Sequence, residues 1–376
     1  MSLARPSTAL LTDRYELTMI DAAIRSGAAK RRSVFEVFAR RLPGQRRYGV
    51  VAGTARVIDA INRFRFDDAE LSWLSAERVV GRDTLDFLAD YRFHGTVWGY
   101  PEGECFFPGS PIITVAGTFA DAVLLETVIL SILNHDSAVA AAASRMTTAA
   151  HRRPCLEMGA RRTHEAAAIS AARAAMVAGF EGTSVLEAGR SYGIATIGTA
   201  AHSFTLVHDD EEAAFAAQVA TLGPETTLLV DTYDVTRGVE RAVAAARAAG
   251  GELGAVRLDS GDLVAQAFTV REQLDALGAT TTKITVTSDL DEYAIAALGA
   301  APVDSYGVGT KLVTGSGVPT AELVYKLVAR ENGAGQMEPV AKSSSAKESV
   351  GGQKCAGRAV ADSVASEEIV VAGGTE

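Results

Sequence analysis

The sequence has few cysteines, and their positions exclude a disulfide or zinc framework. Only three occur in 376 residues, at Cys105, Cys155 and Cys355. An odd number of widely spaced cysteines without a Cys-x-x-Cys pair argues against disulfide bonds and against a structural zinc site. We therefore expect three buried thiols.

The chain also lacks a long apolar run and an excess of positive charge. Its most apolar windows, such as AAAISAARAAMVAGF, are interrupted by Arg or Gly, so we expect no membrane span. The first residues show no apolar core followed by a small-residue cleavage site, which predicts a cytoplasmic protein. A formal charge of -10 disfavours nonspecific nucleic-acid binding, although a local basic pocket can still hold an anionic small molecule.

What the chain has in quantity is an alternation of short β-branched runs with helical segments. It starts near Asp121, and its helices are rich in alanine, as at 235–249 and 262–277. This βαβ pattern predicts a parallel sheet. Runs at the spacing of a βα repeat favour an irregular α/β barrel over an open sheet. The predicted strands are PCLEM, TSVLEA, GIATIG, TLLVD, AVRLD, KITVTSD and DSYGVGT.

The two ends of the chain lack this alternation. Residues 33–120 carry strand-like pieces mixed with short helices, and strand-like pieces joined by glycine turns return from about Ala321, before a polar tail. The length of 376 residues exceeds what one hydrophobic core usually fills. We therefore predict a smaller α+β domain of residues 1–120, completed by 321–376, and a catalytic barrel of residues 121–320.

Acidic and hydroxyl side chains follow the predicted strands. The motifs LVDTYD, VRLDSGD, VTSDLDE and YGVGT each place Asp, Ser or Gly directly after apolar residues. In a barrel these strand ends face one mouth, where active sites are built. Capping of the next helix would explain one or two of these residues, but four in succession, with paired acids, favour a polar site.

Basic residues indicate that this site binds an anion. Arg161 and Arg162 stand at the predicted start of a helix, where two guanidinium groups are unfavourable for the helix dipole. A clamp on a carboxylate or phosphate is the better interpretation. The glycine turn SYGVGT, followed by Lys311, is typical of a barrel phosphate loop. Together they predict a polyanionic substrate, with Mg²⁺ held mainly through its phosphates and the acids and with no dedicated protein metal site.

One motif resembles a motif that is typical of a different fold. LLVDTYDVTRG resembles the acidic loop with which open-sheet phosphoribosyltransferases bind 5-phosphoribosyl 1-diphosphate (PRPP). That loop has two adjacent acids, whereas Thr232 and Tyr233 separate Asp231 from Asp234 here. The broken match and the repeated βα units argue against the open-sheet fold.

A series of ordered motifs covers most of the chain. They are LLTDRYELTM, RRLPGQRRYGVVAGT, LNHDSAVAAAASRM, EMGARRTHEAA, GTAAHSF, LLVDTYDV, VRLDSGDL, SDLDE and YGVGTKL. In this order they resemble the nicotinate phosphoribosyltransferases, in a short form. The resemblance implies a homodimer with shared active sites, built from a type II phosphoribosyltransferase barrel and a smaller domain. It also implies that nicotinate and PRPP yield nicotinate mononucleotide and diphosphate, coupled to ATP hydrolysis, as the first step of NAD salvage from nicotinate.

His202 follows a run of small residues, GIATIGTAA. A lone histidine after an apolar strand is more often a hydrogen-bonded core or loop residue than a catalyst. The resemblance favours the catalyst, because His202 in AHSF matches the family's phosphorylated histidine. A neutral imidazole nitrogen is a nucleophile near pH 7, so ATP would phosphorylate His202, and hydrolysis of the phosphohistidine would couple ATP cleavage to product release.

The resemblance implies roles for further residues. Tyr15 would reach the partner subunit's site and stack on the pyridine, with Asp13 beside it. Asp231 and Asp259 would act in catalysis by organising the ribose or the metal. The arginines would hold anionic groups, and the strand-end residues would seat the ribose and phosphate. These implied substrate contacts are Arg161, Arg162, Ser203, Arg257, Ser288, Asp289, Gly309 and Thr310.

Two positions affect how the chain would bind the pyridine ring and which pyridine substrate it would accept. Met158 stands where many family members have an aromatic residue, and its sulfur can still contact a ring. Ser184 aligns with an aspartate that accepts a hydrogen bond from the amide in nicotinamide phosphoribosyltransferase. Because an aspartate would repel a carboxylate, Ser184 favours nicotinate.

Three alternatives remain at this stage. Nicotinamide phosphoribosyltransferase uses the same scaffold. Quinolinate phosphoribosyltransferase shares the barrel but would not need AHSF. A catalytically silent, nucleotide-binding barrel is disfavoured by the presence of His202, Asp259 and Tyr15.

Overall fold

The computed structural model describes residues 6–342 and 349–373. The chain divides into two compact units. Unit 1 comprises Met1–Ala138 and Thr320–Glu376, and unit 2 comprises Val139–Pro319. Both ends of the chain therefore belong to one unit.

Helices and strands are numbered in chain order. The first part of unit 1 contains α1 (Arg14–Ser26), β1 (Arg32–Ala39), β2 (Gly49–Val50), α2 (Thr54–Asn62), α3 (Asp68–Ala76), α4 (Arg82–Ala89), β3 (Thr96–Gly99), β4 (Cys105–Phe106), β5 (Ile113–Thr118) and α5 (Phe119–Val123). Helix α6 (Glu126–Ala150) begins in unit 1 and ends in unit 2.

The elements of unit 2 alternate, as the sequence predicts. They are β6 (Cys155–Glu157), α7 (Glu165–Val177), β7 (Gly182–Thr183), α8 (Leu186–Tyr192), α9 (His202–Leu206), α10 (Glu211–Leu222), β8 (Thr227–Leu229), α11 (Val235–Ala248), β9 (Ala255–Leu258), α12 (Leu263–Ala276), β10 (Lys283–Val286), α13 (Glu292–Ala297), β11 (Ser305–Val308) and α14 (Thr310–Val313). Unit 1 resumes with β12 (Leu323–Glu331), β13 (Met337–Pro339), β14 (Lys354–Ala361) and β15 (Val364–Ala372).

Unit 1 is built on an antiparallel sheet of five strands in the order β13-β12-β1-β5-β3. Its central strand β1 is buried at every position after the first, which is the pattern of a strand covered on both faces. Strand β12 comes from the far end of the sequence and pairs with β1. Across that pair Phe35 stacks on Tyr325 with ring centroids 4.8 Å apart. The α+β part is therefore formed by both chain ends, as predicted, although unit 1 is the longer of the two units.

The C-terminal residues differ from the prediction of a polar tail. They form strand β15, which pairs with β14 in an antiparallel hairpin. Apolar side chains of β15 are exposed, with Val364 at 67% and Val371 at 55%. Three consecutive β-branched residues, Ile369, Val370 and Val371, favour a strand here. Residues 343–348 of the predicted C-terminal strand region lie outside the described residues.

Unit 2 is built on a curled parallel sheet of six strands in the order β7-β6-β11-β10-β9-β8. This order is cyclic along the chain, because the last strand, β11, pairs with the first, β6. The predicted strand GIATIG is reduced to one parallel bridge between Thr196 and Thr183. Within the described residues, the pairing stops between this bridge and β8. The fold is therefore an irregular α/β barrel, as predicted.

The predicted strand TSVLEA is wrong beyond its first residue. Strand β7 ends at Thr183, and helix α8 follows. Alanine and arginine within VLEAGRSY favour a helix. Gly193, at φ 69°, ends this helix in the left-handed region, where glycine carries no steric cost.

One helical stretch contradicts the expectation that no segment reaches the length of a membrane span. Phe119–Ala150 is long and apolar enough by length and composition. However, 61% of its most apolar window is buried inside the protein. Mostly buried, all-round apolar helices are also typical of protein cores, so this helix is weak support for a membrane location.

The prediction of three buried thiols is correct only for Cys155. Burial raises the pKa of its thiol to about 12. Cys105 is half-buried, and Cys355, on the hairpin strand β14, is exposed. All three are free thiols.

Candidate active site

The three loops at the carboxyl ends of β8, β9 and β10 each carry two acidic residues, and the two have different structural roles. The second acid of each pair accepts hydrogen bonds from backbone N–H groups in the first turn of the next helix. These capping acids are Asp234, Asp262 and Asp291. The first acids are Asp231, Asp259 and Asp289, and none of them caps a helix in the described structure. Helix capping therefore explains half of the acids and leaves one per loop for a site.

His202 is the first residue of α9 and stands beside two of these acids. Its Nδ1 lies 3.1 Å from the hydroxyl oxygen of Thr232. Its Nε2 lies 3.9 Å from Oδ1 of Asp231 and 3.9 Å from Oδ2 of Asp259. The imidazole is 40% exposed, so a ligand can reach it. This arrangement orients one ring nitrogen with a hydroxyl and surrounds the other with carboxylates.

The side chain of Asp231 is nearly fully buried, and its two carboxylate oxygens differ in the hydrogen bonds that they accept. Oδ2 accepts hydrogen bonds from the Asp259 backbone N–H at 2.9 Å and from the Ser260 hydroxyl at 2.7 Å. Oδ1 is buried and has no hydrogen-bond partner among the described residues. A buried anionic oxygen without a donor is costly. This oxygen therefore marks a place for a cation or for a ligand hydroxyl.

Arg257, on β9, is held at three of its nitrogen atoms. Nε donates to the Thr287 hydroxyl at 2.9 Å, one terminal nitrogen donates to the Ala200 carbonyl at 3.3 Å, and the other donates to Asp259 Oδ1 at 3.1 Å. A guanidinium has five N–H groups. One N–H on each terminal nitrogen is therefore left for a ligand, in the forked geometry that matches a carboxylate or phosphate.

Arg257 and Asp259 line a polar cavity of about 190 Å³ within unit 2, and its lining does not include His202 or Asp231. Three arginines and two acids face it, together with small and hydroxyl residues. The lining residues are Met158, Arg161, Arg162, Arg257, Asp259, Thr287, Ser288, Asp289, Gly307, Gly309 and Thr310. The structure therefore brings together, around one cavity, residues from four segments that are distant in the sequence.

The Arg161 and Arg162 pair lies in a short 3-10 turn, Ala160–Arg162, and not in the first turn of a helix as predicted. Helix α7 starts three residues later, with His164 as its cap. Neither guanidinium has an ion-pair partner within residues 6–342 and 349–373. Two unpaired cations beside a small cavity favour an anionic ligand.

A buried glutamate holds this turn in place. Glu157 is fully buried, and its carboxylate accepts hydrogen bonds from the Gly159 backbone N–H and from the Thr183 hydroxyl. Its carbonyl accepts from the Ser184 N–H at 2.9 Å. Burial raises the pKa of Glu157 above its usual range, against these hydrogen bonds. Glu157 therefore ties the arginine turn to Ser184, the position that bears on substrate choice.

The backbone of the cavity leaves little space for side chains. A Cβ at Gly307 would lie 2.5 Å from the methyl group of Thr287 and 2.6 Å from the sulfur of Met158, so only glycine fits. Ser288 has φ 123°, a conformation that is strained for any residue except glycine. Strain of this kind is often found where a loop meets a ligand.

Other predicted site residues lie elsewhere. Ser203 is exposed on α9 and is absent from the cavity lining, as is the exposed Lys311. Tyr15 and Asp13 belong to unit 1. There Asp13 caps α1 by accepting from the Tyr15 N–H at 3.3 Å. Tyr15 is 43% exposed.

Sequence reasoning missed three residues of this site. Thr232 directly follows Asp231, Thr287 lies two residues before Asp289, and Glu157 is the first residue of the motif EMGARRTHEAA. The only available signal for the threonines was a hydroxyl at the end of a strand. For Glu157 it was an acid within an apolar strand, which has to find hydrogen-bond donors when it is buried.

Within the described residues, no group of three or more His, Cys, Asp or Glu side chains is placed to hold a metal ion. Asp231 and Asp259 supply two carboxylates beside His202. Any cation there would need further oxygen ligands from a substrate.

The family model and the sequence relatives agree on one family. Residues 10–134 match the nicotinate phosphoribosyltransferase (NAPRTase) N-terminal domain. The chain is 58% identical over 370 residues to nicotinate phosphoribosyltransferase pncB1 of Mycobacterium tuberculosis, covering 96% of this chain and 80% of the relative. It is 38% identical over 350 residues to nicotinate phosphoribosyltransferase of Bacillus subtilis, covering 92% and 71%.

A solved structure agrees with these relatives. The crystal structure of human nicotinic acid phosphoribosyltransferase matches with a TM-score of 0.82 and 25% identity, over 96% of this chain and 81% of that one. The chain belongs to the nicotinate phosphoribosyltransferase family.

Proposed function

We propose that this chain joins nicotinate to PRPP and releases nicotinate mononucleotide and diphosphate. The observation that carries the proposal is the cavity in unit 2, where Arg161, Arg162 and Arg257 meet. Its cations match a substrate pair that brings a carboxylate, a phosphate and a diphosphate. The relatives named above carry the same activity in their names, which favours nicotinate over nicotinamide and over a silent barrel.

The chemical step requires positioning more than covalent participation of the protein. The ring nitrogen of nicotinate forms a bond to C1 of the ribose while the bond from C1 to the diphosphate oxygen breaks. The electron pair leaves with the diphosphate, and positive charge develops on the ribose. Arginine donors stabilise the leaving negative charge, and Asp231 and Asp259 provide negative charge beside the ribose. Ser288, Asp289, Gly309 and Thr310 would seat the ribose and phosphate.

We further propose that ATP drives this reaction through His202. An imidazole nitrogen would take the γ-phosphoryl group, with a new P–N bond replacing the bond to ADP. Water would later cleave that bond and release phosphate. The contact with Thr232 Oγ1 supports this proposal, because it fixes the ring in one orientation. The exposure of the ring leaves it open to a nucleotide.

The donors beside His202 fit Mg²⁺. Asp231 Oδ1 is a buried oxygen that accepts no hydrogen bond from the described residues, and it and Asp259 Oδ2 lie at the same distance from His202 Nε2. Carboxylate oxygens are ligands that Mg²⁺ prefers, usually together with substrate phosphates and water. Asp231 and Asp259 would therefore hold the ion, which when bound neutralises charge on the departing diphosphate.

We also propose that the active form is a homodimer in which Tyr15 serves the partner's site. Tyr15 is 43% exposed, and a residue that stacks on an external ring has to be accessible. Burial and the neighbouring Glu126 and Glu16 carboxylates raise the pKa of Tyr15 above its usual range, which keeps the ring uncharged. A cytoplasmic location accords with the three free thiols.

One assay tests the proposed function. Purified protein is given PRPP and Mg²⁺ with nicotinate, nicotinamide or quinolinate, each with and without ATP, and mononucleotide formation is measured. We expect product from nicotinate, a faster rate with ATP, and little product from the other two acceptors. Turnover of nicotinamide at an equal kcat/KM, or no product from any acceptor, would contradict the proposal.

A further inference from the structure

Thr287 directly follows β10 and contacts two charged residues of the neighbouring segment, Arg257 on β9 and Asp259 directly after it. Its hydroxyl accepts a hydrogen bond from Arg257 Nε at 2.9 Å and donates one to Asp259 Oδ1. Its backbone N–H donates to the Leu258 carbonyl at 2.9 Å. Thr287 is 3% exposed. One buried hydroxyl therefore contacts both a cation and an anion that face the cavity.

This hydroxyl determines which donors of Arg257 remain free. With Nε on Thr287 and one N–H of each terminal nitrogen on Ala200 and Asp259, the guanidinium plane is held at three points. Loss of the Nε contact leaves two anchors, both on the terminal nitrogens that also present donors to a ligand. The plane can then turn toward Asp259, which competes with an anionic ligand for the same N–H groups.

The methyl group of Thr287 has a separate environment. It faces Gly307, where an added Cβ would lie 2.5 Å away, and that same Cβ would lie 2.6 Å from the sulfur of Met158. The methyl group therefore packs against the backbone beside the cavity, while the hydroxyl makes the polar contacts. Hydroxyl and methyl can be removed one at a time by substitution.

We propose that Thr287 is a positioning residue that acts through Arg257 and Asp259 by aiming the free Arg257 donors at an anionic group of the substrate. The inference rests on the proposed function, because that function supplies the anion. Thr287 touches neighbouring side chains and is assigned no contact with the reacting atoms.

Two substitutions separate the hydroxyl from the methyl group. Thr287→Val keeps the shape and removes the hydroxyl, and we expect kcat/KM for mononucleotide formation to fall about 10- to 100-fold. Thr287→Ser keeps the hydroxyl and should recover activity to within about threefold of wild type. Thr282→Val is the matched control, because Thr282 is a buried threonine at the other end of β10 whose hydroxyl donates to the Leu253 carbonyl. Should Thr287→Val not fold, Thr287→Ala compared with Thr287→Ser isolates the hydroxyl again.

A double-mutant cycle shows whether Thr287 acts through Arg257. We expect Thr287→Val to cost much less in an Arg257→Lys background than in wild type, because lysine has no Nε–H to lose. Fully multiplicative losses would overturn the proposal. Equal impairment in Thr287→Val and Thr287→Ser would also overturn it, because packing of the methyl group would then explain the effect.

A binding measurement separates this inference from the proposed function. Titration calorimetry with inorganic diphosphate needs no turnover, so it reports on the cavity even in a chain that makes no mononucleotide. We expect Thr287→Val to raise the Kd for diphosphate about tenfold or more and Thr287→Ser to change it little. Unchanged affinity in Thr287→Val, or no diphosphate binding by the wild type, would refute the positioning role.

Discussion

The Nδ1 atom of His202 lies 3.1 Å from the hydroxyl oxygen of Thr232. Thr232 follows Asp231 in the loop after β8, while His202 begins a helix that precedes β8 by some twenty residues. The contact therefore links the start of α9 to the loop after β8. It holds the imidazole so that Nε2 lies near both Asp231 and Asp259. A histidine with only a structural role would not require this arrangement.

The first prediction concerns phosphorylation of His202. Incubation with γ-labelled ATP should give an acid-labile, base-stable label on the wild-type protein, and His202→Asn should abolish it. The variant should also lose ATP stimulation while slow, ATP-independent formation of nicotinate mononucleotide persists, because the arginines of the cavity remain. Label counting and product assays with and without ATP check both effects.

A matched comparison is available for this prediction at His208. That histidine is also in unit 2, and its Nδ1 contacts the Phe204 carbonyl at 2.7 Å. His208→Asn should keep the label and the ATP response. A stable His202→Asn protein that still hydrolyses ATP and responds to it would make His202 an ordinary structural histidine.

The second prediction concerns the choice between acid and amide. Nicotinate should be used far better than nicotinamide, because an uncharged amide leaves a guanidinium of the cavity without its charged partner. Ser184→Asp should reduce kcat/KM for nicotinate by about tenfold or more through charge repulsion, with a smaller effect on nicotinamide. Ser184→Asn, which adds similar volume without charge, is the control. Equal losses in the two variants would show that size and not charge decides.

Much of this arrangement could be predicted from the order of the motifs. The acids Asp231, Asp259 and Asp289 each follow a short apolar run, and parallel strands bring such positions to one edge. The pattern alone did not separate them from the capping acids, because Asp and Ser serve both tasks with the same chemistry. Only the hydrogen bonds to backbone N–H groups in the first turn of each helix distinguish the capping acids from the site acids.

Thr287 could not be found in this way. Its contact with Asp259 depends on the register of β9 and β10, in which Thr285 pairs with Arg257 and Val286 with Leu258. A shift by one residue would turn the hydroxyl to the other face of the sheet. Local sequence does not encode that register.

The third prediction tests whether active sites are shared between subunits. A Tyr15→Ala chain and a His202→Ala chain should each lack ATP-stimulated activity, and co-refolding or co-expression of the two should restore it. A mixed dimer regains one site with an intact histidine from one chain and an intact tyrosine from the other. Random mixing should give about one quarter of the wild-type rate, because half of the dimers are mixed and each has one intact site. Absence of rescue in verified heterodimers would refute the shared site.

The last prediction concerns Glu16, a fully buried carboxyl on α1. Its oxygens accept hydrogen bonds from the Thr127 N–H at 2.9 Å, from the Thr127 hydroxyl at 2.6 Å and from the Thr12 hydroxyl. Burial, with a smaller contribution from Glu126, nevertheless raises the pKa of Glu16 to about 7, from 4.5. The folded protein therefore binds more protons at this site than the unfolded chain between about pH 4.5 and 7.

It follows that the free energy of unfolding falls as pH rises through this range and that the Glu16 contribution is flat above about pH 7. Glu16→Gln removes the titration, so the stability of wild type relative to this variant should decrease by on the order of 3 kcal/mol between pH 4.5 and 8. Urea unfolding of both proteins across this range measures the difference, and Glu165→Gln, at an exposed carboxyl on α7, controls for the substitution itself. A difference between wild type and Glu16→Gln that stays constant with pH, or grows in favour of wild type as pH rises, would show that Glu16 is ionised in the fold across this range.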